Sequence, residues 1–309
     1  MDPTDQPPSA PLTFLQRRLL RANADIIDVE SDRAEFLHST LCQVGLPRSK
    51  TEARTFERNS GNAGISIEAG KLYQRGRWVD QPLPYGAKPR LVLIHLCSEA
   101  VRTKSPTVEV GQSAREFLRR LCLDDSGHEY PRFRAQMEAL AACRMTIGFS
   151  TDNKDVTIST QPISRFEAWV QHDDKSIGLW PGSMTLSAEF FATLSEHAVP
   201  LDGRAIHALQ KSALQLDVYC WLAQRLCRVR KAGGVKVSWR NMRDQFGQEY
   251  RTPKDFKREM KNALGKVLAV YPDAKVEDVA GGLLLKPSPP PIKRTQEVLV
   301  GWRGRYEQR

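Results

Sequence analysis

The sequence predicts an α+β fold: two successive units share one element order, helix, strand, helix, helix, hairpin, behind an N-terminal appendage of helix and hairpin. Three observations predict it. Apolar residues recur at helical spacing over long stretches, short alternating runs stand between them, and each unit closes on two alternating strands around a turn-forming pair. At 309 residues the chain is also long enough for two ordinary cores, which usually serve roughly 100–200 residues each.

The appendage is assigned to 1–82. Residues 1–12 are Pro-rich and expected to be disordered. A helix is predicted from Thr13 to about Arg21, and a second from Ser31, read as an N-cap, to Gln43, with Phe36, Leu37 and Leu41 at helical spacing before Gly45 and Pro47 stop it. After the basic and polar stretch Arg48–Arg58, Ile65, Ile67 and Ala69 alternate with polar residues and lead through Gly70 and Gly76 into Trp78-Val79, which reads as a hairpin.

The first unit is assigned to 83–182. It runs from an apolar helix, Arg90–Arg102, through the strand Thr107–Val110, a helix Ser113–Leu121, the loop Asp124–Tyr130 and a helix begun by Pro131, with Phe133, Met137, Leu140 and Ala141 on one face. Strands at about 144–149 and 155–160 close it around Asp152-Asn153, and alternation across 162–182 extends its sheet. The second unit, 183–287, repeats the order: one long helix over about 203–229, the strand Val235–Val237, a helix Arg240–Phe246, a helix Lys254–Val270 stopped by Tyr271-Pro272, and strands at about 274–279 and 283–286 joined by Ala280-Gly281-Gly282. This is the winged-helix arrangement, so the predicted fold is two tandem winged-helix domains. Pro289-Pro290-Pro291 marks a stiff exit within a Pro-rich and basic tail, 288–309.

Charge is unevenly placed. Residues 1–200 carry 24 Lys and Arg against 25 Asp and Glu, whereas 201–309 carry 22 against 11. A local positive field attracts polyanions, which makes nucleic acid the first expected partner and an anionic membrane surface the second. With Phe256 at zero and about 100° per residue, Phe256, Met260, Ala263, Leu264 and Val267 fall on one arc of the helix Lys254–Val270. Lys254, Lys257, Arg258 and Lys261 fall on another. Such a helix packs on one side and offers cations on the other, as a major-groove reader must. Arg258 has the fork to pair with guanine O6 and N7, and Asn262, beside the basic arc, has the amide to pair with adenine. Thirteen cations face four acids across Arg225–Lys266. Among them Arg228, Arg230, Lys236, Arg240 and Arg243 suit phosphate clamping, with Lys275 and Lys286 on the hairpin following the adjacent backbone. An ordinary amphipathic surface helix with a solvated charged face is the competing reading.

No enzyme is expected. There is no phosphate loop, no H-E-x-x-H, no G-x-S-x-G and no His-apolar-His element, so no cofactor or metal is expected either. His38, His95, His128, His172, His197 and His207 are isolated, and the pairs Asp124-Asp125 and Asp173-Asp174 lack a third carboxylate nearby in sequence. Asp217, inside an apolar helix, reads as the buried partner of an arginine rather than a catalytic base. The six cysteines, Cys42, Cys97, Cys122, Cys143, Cys220 and Cys227, form no C-x-x-C pair and read as reduced core thiols. No stretch approaches the ~20 apolar residues that span a bilayer, and the start MDPTDQPPSAP lacks the layout of a secretory signal, so the cytoplasm is the expected compartment.

From about Asp32 to Ile292 the chain resembles the RepA-type plasmid replication initiators. The first half carries this in LCQVGLPRSK from Leu41, IEAGKLY from Ile67, LPYGAKPRL from Leu83, VEVGQSAREFLRRL from Val108 and QMEALAACRM from Gln136. The second half carries it in LSAEFF from Leu186, VPLDGRAIHAL from Val199, SALQLDVYCWLAQRL from Ser212, VSWRNMRDQFG from Val237, YPDA from Tyr271 and GLLLKPSPP from Gly282. The resemblance implies a non-catalytic protein that binds repeated double-stranded origin DNA, helps open adjacent AT-rich DNA and recruits host replication proteins such as an initiator and a helicase. It also implies a balance of DNA-binding monomers and repressive homodimers, and with it copy-number control. A transcriptional regulator with two winged helices and a divergent origin-nicking nuclease are the alternatives.

Overall fold

The computed structural model describes residues 12–31, 33–74, 76–124, 126, 129–151, 154–166 and 182–292. The expectations for the first eleven residues, the Asp152-Asn153 turn, most of 162–182, Asp125, Asp173-Asp174, His128, His172 and the tail beyond 292 lie outside them.

Helix α1 (Phe14–Asp28) starts at a capping box: Thr13 Oγ1 accepts from the Gln16 backbone N–H, and the Gln16 side chain returns the bond to Thr13 N at 2.8 Å. The helix predicted over Ser31–Gln43 is instead strand β1 (Ala34–His38) followed by the single-turn helix α2 (Ser39–Gln43). The physical reason is non-local. Each of Ala34 to His38 pairs antiparallel with a residue of Asp202 to Ala198, and Phe36 N donates to Ser98 Oγ at 2.7 Å, so tertiary partners override the helical spacing of Phe36, Leu37 and Leu41.

Strands β2 (Thr55–Ser60) and β3 (Ala63–Glu68) form one ribbon, β4 (Lys71–Gln74) and β5 (Arg77–Asp80) another. The predicted hairpin is thus two ribbons. Helix α3 (Ala87–Thr103) is followed by β6 (Thr107–Glu109), α4 (Ala114–Arg120), capped by Ser113, and α5 (Glu129–Ala142). Strands β7 (Arg144–Thr151) and β8 (Lys154–Thr160) join the first ribbon in the sheet order β2-β3-β7-β8. Strand β6 pairs elsewhere, in the order β6-β10-β9 with β9 (Ile163–Phe166) and β10 (Ser183–Leu186). The first unit therefore keeps the predicted element order, but its hairpin is held by strands of the appendage.

Helix α6 (Ala188–His197) and strand β11 (Ala198–Asp202), the partner of β1, have no counterpart in the sequence reading. The single helix expected over 203–229 is two, α7 (Gly203–Leu209) and α8 (Ala213–Leu226). Ser212 sits in extended backbone and its hydroxyl accepts from Gln215 N at 3.4 Å, starting a fresh helix where periodicity alone reads straight through. Strand β12 (Val235–Ser238), helices α9 (Trp239–Phe246) and α10 (Pro253–Leu268), and strands β13 (Val276–Val279) and β14 (Gly282–Leu285) are the last elements among the described residues. Their sheet runs β12-β14-β13, so the strand before the two helices is hydrogen-bonded to the returning arm of the hairpin.

One contiguous buried cluster extends from Leu19 to Ile292. Within the second unit it contains edge-to-face contacts of Trp221 with Phe246 and of Tyr219 with Tyr271, which seat α9 and the end of α10 on α8. All six cysteines are free; Cys42, Cys97, Cys143 and Cys220 are buried, while Cys122 is exposed rather than in the core.

Candidate nucleic-acid interface

Helix α10 begins at Thr252, whose hydroxyl accepts from Asp255 N at 3.1 Å and donates to its carboxylate at 2.7 Å, with Pro253 in the first turn. Its two arcs separate as the periodicity requires. Phe256, Met260, Ala263, Leu264 and Val267 are buried, whereas Lys254, Lys257, Arg258, Lys261 and Asn262 are exposed.

The cations nearest the middle of the helix have neighbours that the sequence reading did not anticipate. Lys257 and Lys261 lie over the Trp239 ring, at 5.0 and 5.8 Å from its centroid. Trp239 is the first residue of α9, its backbone N–H bonds Gly281 O at 3.1 Å, and it therefore ties α9, α10 and the hairpin turn together. Arg258 meets Asp255 at 3.3 Å and Glu259 at 3.2 Å yet stays two-thirds exposed. Lys261 pairs with Asp278 and Lys286 with Glu277. The hairpin is thus acidic on β13, which the overall basic excess of this region concealed. These pairs are solvent-facing, worth about 0–1 kcal/mol each, and weak enough to exchange for a phosphate.

Lys236 and Arg240 are exposed, and Lys236 reaches the hairpin turn at Gly281. Lys275 is exposed, and its carbonyl accepts from Lys286 N, so the two residues lie side by side at the hairpin base. Arg230 is exposed in the loop after α8. Arg243 is half-buried, and Arg228 turns back to the Gln224 carbonyl of its own helix, which sets it apart from the cations on α10. Arg251 and Asn241 are further exposed polar groups near the same elements that the sequence reading passed over; an aromatic opening a helix, Trp239 after the cap Ser238, was the available signal for this corner.

An α+β unit with a two-faced cationic helix beside a three-stranded sheet is the class that these observations define. The chain belongs to the family of plasmid-encoded RepA proteins, whose family model matches residues 83–241, just over half of it. No curated protein matches it. Among solved structures, two crystal structures of domains 2 and 3 of RctB are similar: one with a TM-score of 0.47 and 14% identity over 78% of this chain and 89% of that one, the other with 0.46 and 12% over 78% and 85%. No helix among the described residues is long and apolar enough to cross a membrane.

Proposed function

We propose that this chain is a plasmid replication initiator that binds repeated duplex sites at its origin, with the second unit acting as a winged helix that lays α10 into the major groove. The observation that carries the reading is the split of α10 into a fully packed apolar side and a solvent-facing row of Lys254, Lys257, Arg258, Lys261 and Asn262. Membership of the RepA family supports the initiator role over a transcriptional regulator of the same architecture.

On this reading Arg258 and Asn262 touch bases, and Lys236, Arg240 and the hairpin lysines Lys275 and Lys286 follow phosphates. Binding energy then offsets the distortion of the duplex, which costs of order 1–6 kcal/mol for a bent site. Opening of neighbouring AT-rich DNA, recruitment of host replication proteins and a repressive dimer complete the proposed role, and no catalytic step is assigned. Footprinting on the DNA flanking the gene should reveal repeated protected sites, and a replicon lacking the gene should need it in trans. Replication of that replicon without the protein rejects initiation; relaxed circles formed from supercoiled origin DNA with Mg²⁺ and purified protein would instead favour a nuclease.

A further inference from the structure

The β4–β5 ribbon places two large aromatic side chains where they pack on little else. Tyr73 and Trp78 are 64% and 68% exposed, sit opposite each other in the strand register, and have ring centroids 5.3 Å apart at 63°. The other face of the ribbon carries the cross-strand pair Leu72 and Val79, both half-buried. The ribbon's packing side is therefore already used, and the aromatic side is offered to solvent, an arrangement that forgoes burial free energy for no structural return.

The base of the ribbon is firmly held. Gly70 lies so close to α5 that a Cβ there would meet the Ala142 carbonyl oxygen at 1.9 Å. Gln81 N closes the base on Gly70 O at 2.9 Å, and the Arg54 guanidinium bonds the carbonyls of Gln81 at 2.6 Å and Ala69 at 2.8 Å. The tip is open, with Gly76 at φ +78° and nothing within 4 Å of where its Cβ would be. Lys71 and Asp80 share the aromatic face, whereas Arg77, paired with Gln74, lies on the Leu72–Val79 face; all three are exposed, and the Asp80 carboxylate is held by Arg54 at 3.2 Å and Lys71 at 3.7 Å.

A fixed base, a projecting aromatic pair and cations at its foot, Lys71 and Arg54, are the components of a stacking platform for unpaired bases. We infer that the β4–β5 ribbon binds single-stranded nucleic acid, with bases stacked on Tyr73 and Trp78 and a backbone phosphate near Lys71. Paired bases already stacked in a duplex leave no face for these rings. An apolar protein partner fits less well, because the ribbon's other exposed residues are charged. The site is separate from α10 and does not depend on that helix reading duplex DNA.

The test uses the full chain and a fluorescein-labelled oligothymidylate of about 20 nucleotides, followed by anisotropy at low salt, where backbone contacts are strongest. The double variant Tyr73→Ala/Trp78→Ala should bind the oligonucleotide about tenfold or more weakly than wild type, because each lost base–aromatic stack weakens binding. Tyr73→Phe/Trp78→Phe, which keeps both π faces, should remain within about threefold. The urea midpoint and binding to duplex origin DNA should be unchanged in both variants, whereas Lys257→Ala/Arg258→Ala should do the reverse. Equal oligonucleotide affinity for wild type and the alanine variant, or no binding by wild type, overturns the inference; loss of a protein contact with oligonucleotide binding intact also overturns it and assigns the pair to that partner.

Discussion

Arg90 of α3 and Asp217 of α8 form a bidentate ion pair, Nε to Oδ1 at 2.6 Å and Nη2 to Oδ2 at 2.9 Å, with both side chains 6% exposed. The remaining Arg90 protons go to the carbonyls of Leu46 at 2.5 Å, Pro47 at 3.0 Å and Gly86 at 2.6 Å, so one guanidinium joins α3, α8 and the segment that follows α2. Arg58 extends this junction: its fully buried side chain bonds Gly45 O and Glu249, and burial pushes its pKa down to about 10. Removing one member of such a pair strands a buried charge, so Asp217→Ala should lower stability by about 3–5 kcal/mol in urea unfolding. Arg90→Met/Asp217→Leu should recover part of that loss. A change in Asp217→Ala below about 1 kcal/mol would falsify the junction role.

Helix α10 offers a sharper test of DNA reading. Arg258→Ala should weaken origin binding by about 1–3 kcal/mol if the fork reads a guanine, and should relax preference at a single base pair. Lys257→Ala, acting on phosphate, should weaken all sequences alike and reduce the slope of log K against log salt by about 1. Gel shifts across a salt series separate the two effects. Unchanged binding in both variants at ~150 mM salt rejects α10 as the reader.

How much of this was legible in the sequence depends on how local the determinants were. The two arcs of α10 could be read from spacing alone, because a 3.6-residue period and the stop at Tyr271-Pro272 are both local signals, whereas the cap at Thr252 emerged only in the structure. Asp217 was legible as a buried partner of an arginine because a lone carboxylate in an apolar helix needs a counter-charge, though nothing in sequence named Arg90, 127 positions away. Strand β1 was not legible. Its identity rests on pairing with β11, more than 160 residues later, and Phe36, Leu37 and Leu41 fit a helix equally well when that partner is unknown. The pairs Lys261–Asp278 and Lys286–Glu277 were hidden for the same reason, since counting charge along a segment does not say which carboxylate a lysine will face.

If Lys261 and Lys286 contact DNA as proposed, their acidic partners on β13 compete with phosphate for them. Glu277→Gln/Asp278→Asn should therefore tighten duplex binding at low salt and steepen its salt dependence, because Lys261 and Lys286 become free to release counterions. Stability should change by less than about 1 kcal/mol, as for other exposed pairs. Weaker DNA binding in the double variant would mean that the carboxylates orient the lysines productively instead of restraining them.

His38 makes stability depend on pH. It is fully buried at the end of β1, stacked on Phe190 at 5.7 Å and edge-on to His197 at 6.0 Å, and its Nδ1 accepts from Thr40 N at 3.2 Å. Burial, and then the neighbouring His197, push its pKa down to about 3. The folded protein thus keeps His38 neutral while the unfolded chain protonates it near 6.5. Below that value the unfolded state binds the extra proton, so stability falls as the medium is acidified and the contribution is exhausted near pH 3, at up to about 1.4 kcal/mol per pH unit. His95, pushed down to about 4 mainly by burial, adds a loss of the same sign. His38→Asn retains a side-chain acceptor for Thr40 N but has no proton to gain. The stability gap between wild type and His38→Asn in urea should therefore narrow from about pH 7 to about pH 5, and a gap that stays constant would mean His38 titrates at its ordinary value in the folded protein.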